Sequence, residues 1–190
     1  MSGYDEPVAI AVDSSGVSVH RCGGRVERIY GGKKRYVKIH FAVDVKIKEI
    51  LAMDVTTDGI HDSEALPSLI TNASRHRLIS EAYMDGAYDS IKSYRLLKRA
   101  GIKPIIKPRR NARADRGPPE RRNSVIMFKM LGEKEWSGRM GYGRRWAAEA
   151  AFSAFKRLYG EHCMSKNMES IVKEMMAKAY IYNMLINLQS

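Results

Sequence analysis

The chain has 190 residues, of which 44% are hydrophobic and 28% charged, a balance that excludes collagen-like, low-complexity and wholly disordered proteins. Its 33 lysines and arginines exceed its 21 aspartates and glutamates and give a net charge of +12. This excess favours a polyanionic partner such as nucleic acid, although a ribosomal-type or merely soluble basic protein has the same composition.

Cellular location is indicated by the cysteines and the two ends of the chain. Cys22 and Cys163 are too few for a disulfide framework and favour a reducing compartment. No secretory signal is visible at the start, and the uncharged run 179–190 is too short to span a bilayer. We therefore expect a cytoplasmic protein with no membrane partner.

Strands dominate the first predicted elements. Val8–Val12 is a short β-branched run that ends at Asp13, ahead of small residues typical of a turn. Residues 23–34 are rich in glycine and charge and predict an exposed loop. Alternating hydrophobicity over Tyr36–Asp44, followed by a second apolar run at Ile50–Val55, predicts an antiparallel hairpin.

Helices and strands alternate after the hairpin. Asp62 or Ser63 is expected to cap a helix, and Leu78–Met84 predicts a strand that ends at Asp85. Ser90–Ala100 has the pattern of an amphipathic helix, and Lys103–Ile106 that of a short strand. This order predicts an α/β fold with a mixed five-stranded sheet.

The remaining chain is basic and then helical. In the window 98–122, ten basic residues stand against two acidic ones. The stretch Lys107–Asn123 is predicted to be a DNA-contacting loop, because its charge lacks acidic partners along the sequence; the alternative is a solvated, disordered connection. Helical periodicity returns from Arg145 to Gly160, and Met168–Leu188 predicts a long amphipathic helix packed on the core.

Three carboxylates are candidates for chemistry. Asp13 and Asp85 follow predicted strands, and ligands of α/β sheets gather at the carboxyl ends of strands. Glu149 lies on one stripe of a predicted helix with Arg145 and Lys156, opposite an apolar face. Oxygen ligands suit Mg²⁺, and two such ions support phosphodiester exchange. The alternative is that these are turn residues and a surface ion pair.

The residues around Glu149 resemble the DDE transposases of bacterial and archaeal insertion sequences. The signature Tyr-x₂-Arg-x₃-Glu-x₆-Lys is matched at every spacing by Tyr142, Arg145, Glu149 and Lys156. In the same comparison AVDSSG supplies the first aspartate, Asp13, and MDGAYD the second, Asp85. The resemblance extends over nearly the whole chain.

This resemblance implies a ribonuclease-H-like fold and metal-dependent DNA strand cleavage and strand transfer during transposition of an insertion sequence. It implies two Mg²⁺ or Mn²⁺ ions as cofactors, and transposon ends and target DNA as partners. The implied catalytic and metal-binding residues are Asp13, Asp85 and Glu149. The residues expected to bind DNA are Tyr142, Arg145, Lys156, Lys107, Arg109, Arg110 and Arg113.

The organisation of the chain leaves alternatives open. Members of such a family usually carry a DNA-binding region before the first aspartate, whereas twelve residues precede Asp13 here. We therefore expect residues 1–190 to be a single catalytic domain without that region. Because transposition joins two DNA ends, a homodimer on DNA is a further expectation. The alternative functions are a non-catalytic nucleic-acid-binding relative and a nuclease without strand transfer.

Overall fold

The structure is a computed structural model that describes residues 6–19 and 36–188, so the loop predicted over 23–34 lies outside the described residues. The described strands are β1 (Val8–Val19), β2 (Tyr36–Asp44), β3 (Ile50–Thr57), β4 (Ile79–Met84), β5 (Lys103–Ile106) and β6 (His162–Cys163). The described helices are α1 (Asp62–His76), α2 (Ile91–Arg99), α3 (Pro119–Met140), α4 (Trp146–Tyr159) and α5 (Met168–Asn187). Short 3₁₀ helices span Gly86–Tyr88 and Tyr142–Arg145.

The strands form one mixed sheet in the order β3-β2-β1-β4-β5, with β6 paired to β1. The predicted hairpin is β2 and β3, and both the β3/β2 and β2/β1 pairs are antiparallel. The β1/β4 and β4/β5 pairs are parallel, which requires the crossovers that α1 and α2 provide. Five strands agree with the sequence prediction, and the two-residue β6 is additional.

Strand β1 is longer than predicted. The sequence prediction ends it at Val12, but the strand continues to Val19 because residues 13–18 pair with β2. On its other side, the parallel partner β4 stops at Met84, opposite Val12. Asp13 is therefore inside β1 but is the first residue past the end of the neighbouring parallel strand.

Helices cover both faces of the sheet. On one face, Phe41 of β2 stacks on Phe152 of α4 with ring centroids 4.2 Å apart, and Phe155 meets Phe41 edge-on. On the other face, α1 and α2 bury leucines such as Leu66 and Leu97. The two cores hold the strands rigidly, and this rigidity fixes the carboxyl ends of the strands that carry the candidate site.

Helix α5 extends over nearly the predicted range and packs on the core through a narrow stripe. Ile171 and Met175 are buried in this stripe, whereas Met176 is 58% exposed. Asn183 binds the backbone of Ile50 with both side-chain atoms, accepting its N–H at 2.9 Å and donating to its carbonyl at 2.8 Å. This amide clamp docks α5 on the start of β3.

The predicted loop Lys107–Asn123 is too long at its C-terminal end. Helix α3 begins at Pro119, where proline suits the first helical turn, so the non-helical part ends at residue 118. The helix kinks at Gly132, which has a φ of 75°, and it buries Trp136 completely. Residues 124–140 of this helix lie outside every element predicted from the sequence.

The predicted cap of α1 is also corrected. His61 occupies the N-cap position without a side-chain hydrogen bond, and Asp62 is the first helical residue. The Asp62 carboxylate instead accepts a hydrogen bond from Lys38 Nζ at 3.1 Å, so it joins α1 to β2.

No helix within residues 6–19 and 36–188 has both the length and the hydrophobicity that a membrane-spanning segment needs.

Replacing Phe152 by leucine should lower the free energy of unfolding by about 1 kcal/mol, because the volume is nearly kept but the stack on Phe41 is lost. Urea denaturation measures this change. The control is Leu158→Ala on the exposed side of α4, expected to stay within about 0.5 kcal/mol. Equal effects of the two substitutions would contradict the packing described for α4.

Candidate active site

The register of β1 and β4 brings two aspartates side by side. Val12 and Met84 are direct partners in the parallel pair, so Asp13 and Asp85 follow them on adjacent strands, which lie about 4.8 Å apart. Asp13 Oδ1 accepts a hydrogen bond from its neighbour's backbone N–H at 2.9 Å, and Asp85 Oδ1 accepts one from Ala87 N–H at 2.8 Å. Each carboxylate is thus oriented by the chain beside it.

The Asp13 carboxylate lies in an unfavourable setting for a negative charge. Burial raises its pKa, and the nearby Asp85 charge raises it further, while the Ser14 N–H and the Arg145 guanidinium oppose these effects. The balance is a raised pKa, since burial is the largest of these effects. An additional cation at this point would therefore stabilise the ionised form.

Arg145 connects the third carboxylate to the first. Its Nη1 donates to Asp13 Oδ2 at 2.7 Å, and its Nη2 donates to Glu149 Oε1 one helical turn further along the chain. The Arg145 side chain is 19% exposed and that of Glu149 is 48% exposed. Glu149 therefore faces Asp13 across a guanidinium group and does not touch it directly.

The donor set of the site is entirely carboxylate oxygen, the type that Mg²⁺ and Mn²⁺ prefer. Over residues 6–19 and 36–188, however, no group of three His, Cys, Asp or Glu side chains is arranged closely enough to hold a metal ion. Asp13 and Asp85 are brought together by the sheet, and Arg145 occupies the space between Asp13 and Glu149.

Tyr142 forms a wall beside these groups. It follows Gly141, whose φ of 61° allows the sharp turn after α3. The Tyr142 ring packs on Trp136 with centroids 5.2 Å apart, and the Arg145 guanidinium carbon lies 6.0 Å from the ring centroid. Burial raises the pKa of Tyr142 well above its ordinary value, so its hydroxyl keeps its proton.

Lys156 stands apart from the carboxylates. It lies seven residues after Glu149 on α4, about 10 Å along the helix axis. Its Nζ pairs with Glu161 at 3.3 Å. Lys156 lies on the same side of α4 as Glu149, as predicted. It can contact a bound DNA backbone only if the DNA extends along this helix.

A cavity of about 960 Å³ opens next to Asp85. Basic side chains and two aromatic rings dominate its wall, and Lys107 crosses it to pair with Glu133 at 2.5 Å. The residues that line it include Asp85, Lys107, Arg110, Phe128, Lys129, Tyr142 and Arg145. The basic side chains suit an extended polyanion, and the aromatic rings suit planar groups such as bases that the polyanion carries.

Comparison with known families gives the identity of the domain. A family model described as Transposase DDE domain matches residues 4–184. The chain belongs to this family of DDE transposases. The match confirms the resemblance derived from the sequence, and with the mixed sheet it confirms the predicted ribonuclease-H-like fold class. Transposition-related DNA cleavage and transfer, with DNA as substrate and generally with divalent metal ions, is the activity of this family.

The basic segment of this transposase domain, residues 107–118, differs from its prediction in one respect. The premise that its charges lack acidic partners is wrong: Lys107 pairs with Glu133, and Arg113 pairs with Asp115. Sequence reasoning missed Glu133 because this residue comes from α3, which was not predicted. Arg110 makes no ion pair within the described part of the chain.

Arg109 supports the turn that carries Asp85. Its Nε donates to the Gly86 carbonyl at 2.7 Å, and its Nη2 donates to the Ala87 carbonyl at 3.0 Å. The sequence indicated only a DNA-binding role for this arginine. Its pairing with backbone carbonyls carries no signal in a single sequence.

Two buried polar residues in the motif MDGAYD were also missed. Tyr88 is fully buried, and its hydroxyl has no partner among the described residues. Burial raises the pKa of Tyr88 well above its ordinary value, helped by the charges of Asp62, Asp13 and Asp85. Asp89 is buried as well and pairs with Arg121. The only signal in the sequence was a second aspartate in the motif, four residues after Asp85.

Proposed function

We propose that this transposase domain cleaves DNA strands and transfers them to target DNA during transposition of an insertion sequence. Its catalytic residues are Asp13, Asp85 and Glu149. The observation that carries the proposal is the β1/β4 register, in which Asp13, inside β1, and Asp85, just after β4, lie at the same level at the carboxyl end of β4. Ligands of such sheets bind at this edge.

The three carboxylates fit divalent cations in type, since all their donor atoms are oxygen and Asp13 is partly buried close to the charge of Asp85. Asp13 and Asp85 would hold Mg²⁺ or Mn²⁺ with Glu149 as the third ligand. When bound, two such ions stabilise the attacking and the leaving oxygen of an in-line phosphodiester exchange. In this reaction water, and then the freed 3′-hydroxyl, is the nucleophile.

Arg145 and Tyr142 would position the DNA backbone. The guanidinium of Arg145 is held between Asp13 and Glu149 and borders the cavity, so it would bind a phosphate there once divalent cations neutralise these two carboxylates. Tyr142 presents a protonated hydroxyl that donates to a phosphate oxygen. Lys156 would contact a phosphate further along α4.

The cavity beside Asp85 would take the strand that is to be cut. Its basic residues from the segment 107–118 attract phosphates, and Phe128 offers an aromatic surface for a base. Arg110 would contribute more of this attraction than Lys107, because among the described residues its charge is not shared with a carboxylate and Lys107 is paired with Glu133. Arg113 would contribute less, since it is already paired with Asp115.

Substituting Arg110 by glutamine should weaken DNA binding and reduce the slope of log K against log salt by about 0.9, the value for one phosphate contact. Arg113→Gln should change this slope by less, because its charge is partly neutralised. Fluorescence anisotropy over a salt series measures both. Arg75→Gln, at the end of α1 near the start of β4, is the control and should leave the slope unchanged.

The experiment that tests the function uses a supercoiled plasmid carrying the DNA that flanks the coding sequence. Nicked or linear products that require Mn²⁺, together with joined products when a 3′-hydroxyl donor is added, are expected. Nicks without joined products would replace strand transfer by simple hydrolysis. Binding without any metal-dependent product would favour a non-catalytic relative.

We also propose that residues 1–190 act as one catalytic unit. Support comes from contacts between distant parts of the chain, such as Asn183 on Ile50 and β6 on β1.

A homodimer on DNA would follow from the need to bring two DNA ends together. Sedimentation of the protein with and without a duplex carrying those flanking sequences tests it.

A further inference from the structure

A buried ion pair joins the turn after β4 to the first turn of α3. The Asp89 side chain is fully buried, and that of Arg121 is 10% exposed. Arg121 donates from Nε to Asp89 Oδ1 at 2.7 Å and from Nη2 to Oδ2 at 3.1 Å. Because desolvation offsets much of the attraction between buried charges, such a pair stabilises a fold little more than apolar residues of the same volume. Its role therefore lies in what it holds in place.

The remaining N–H groups of Arg121 hold the basic segment. Nη1 donates to the carbonyl of Arg113 at 3.2 Å and to that of Arg116 at 2.9 Å. The next residue, Gly117, has a φ of 93°, and a Cβ there would lie 3.0 Å from Arg121 Cδ. The end of the segment thus wraps around one guanidinium group, and glycine is required where it passes closest.

Asp89 holds the other end of the segment and the turn that carries Asp85. Its Oδ2 accepts the backbone N–H of Arg109 at 3.1 Å. The Arg109 guanidinium donates to the carbonyls of Gly86 and Ala87, and the Ala87 N–H donates to Asp85. One continuous set of hydrogen bonds therefore runs from the Asp85 carboxylate through Arg109 to the Asp89–Arg121 pair.

We propose that Asp89 and Arg121 are positioning residues for the reaction. They hold the Asp85 turn and the basic segment together, so that a DNA strand bound by the segment meets the Asp85 carboxylate in a fixed geometry. A displacement of about 1 Å between reacting groups lowers rates about 100-fold. The part of this inference that concerns catalysis rests on the proposed function, whereas the anchoring of the two segments does not.

Two variants test the anchoring. Arg121→Lys keeps the positive charge, but one ammonium group cannot reach all the acceptors that the guanidinium reaches. The double variant Asp89→Leu, Arg121→Met removes both charges and leaves neither buried without a partner, so the fold should persist. The matched control is Arg95→Met, which removes one positive charge from an exposed position on α2, outside the basic segment.

The first measurement is hydrogen exchange by mass spectrometry on the DNA-free protein. Peptides covering 85–90 and 107–118 should exchange at least about tenfold faster in both test variants than in the control, with β2 unchanged. The unfolding midpoint of the double variant should stay within about 5 °C of the wild type. Exchange within about twofold of the control in either segment would overturn the proposal.

The second measurement is Mn²⁺-dependent cleavage of the plasmid described above. The turnover of both test variants should fall about 100-fold, while that of the control changes by less than about twofold. Unchanged turnover with faster exchange would overturn the positioning role. If the wild type gives no cleavage, the proposed function fails, and the exchange measurement alone decides the anchoring. If the double variant does not fold, Arg121→Lys gives the result.

Discussion

Asp85→Asn is expected to lower the rate of metal-dependent DNA cleavage by at least about 1000-fold. The amide keeps the size of the side chain and an oxygen that accepts the Ala87 N–H, so the turn after β4 retains its shape. It lacks the charge that a divalent cation requires. DNA affinity should stay equal or increase, because one charge that repels phosphate is removed.

Plasmid nicking and fluorescence anisotropy, run on the same preparation, separate the two effects. Asp58→Asn is the matched control: it makes the same change at an exposed loop position after β3 and should leave the nicking rate within about twofold. Cleavage by Asp85→Asn at a rate close to the control would show that Asp85 is not a catalytic residue.

Glu174→Gln is expected to lower the free energy of unfolding at pH 7 by about 2 kcal/mol, after allowance for solvent screening. Burial alone would raise the pKa of Glu174, but the Lys178 ammonium and the backbone N–H groups of Met164 and Ser165 together lower it to about 2. Lys178 Nζ lies 2.7 Å from the carboxylate, and the Ser165 N–H lies 2.8 Å from it. This carboxylate fastens the loop after β6 to α5.

The sign of the pH dependence follows from the lowered pKa. Because the folded protein holds Glu174 ionised more strongly than the unfolded chain does, its contribution is full above pH 4.5 and is lost as the pH falls towards 2. Urea denaturation at pH 7, 5 and 3.5 measures the difference in free energy of unfolding between wild type and variant. This difference should be smaller at pH 3.5 than at pH 7. Glu169→Gln, in an exposed pair with Lys173 on the same helix, is the control and should stay within about 0.5 kcal/mol. A gap that persists unchanged at pH 3.5 would contradict this account.

Periodicity predicted the elements whose packing is local and regular. The alternation of Tyr36–Asp44 became β2, and the helical pattern of Met168–Leu188 became α5. The length of β1 was not predictable from its own residues. Its extension through mostly small polar residues depends on pairing with β2, a strand that comes later in the chain.

The sequence predicted which residues form the candidate site, but it did not predict how they are arranged. The aspartates after apolar runs pointed to Asp13 and Asp85. The apolar run before Asp85 ends where β4 ends, whereas the run before Asp13 ends inside β1, at the level where β4 stops. The guanidinium between Asp13 and Glu149 was not foreseen, since a helical projection gives positions on one helix and not the distance to a strand. Asp89 and Arg121 were missed because they meet across 32 residues, through a helix without a clear apolar stripe.

The central claim is that Asp13, Asp85 and Glu149 form one metal-binding catalytic site. The most direct test is the shift in unfolding midpoint on adding Mn²⁺, measured with and without a duplex carrying the flanking sequences. At a hundred times the dissociation constant, wild type should gain about 2.7 kcal/mol. Asp13→Asn, Asp85→Asn and Glu149→Gln should each lose most of that gain, while Glu169→Gln keeps it. A Mn²⁺ shift in the three variants equal to that of Glu169→Gln, or no shift in the wild type even with DNA, would contradict the account.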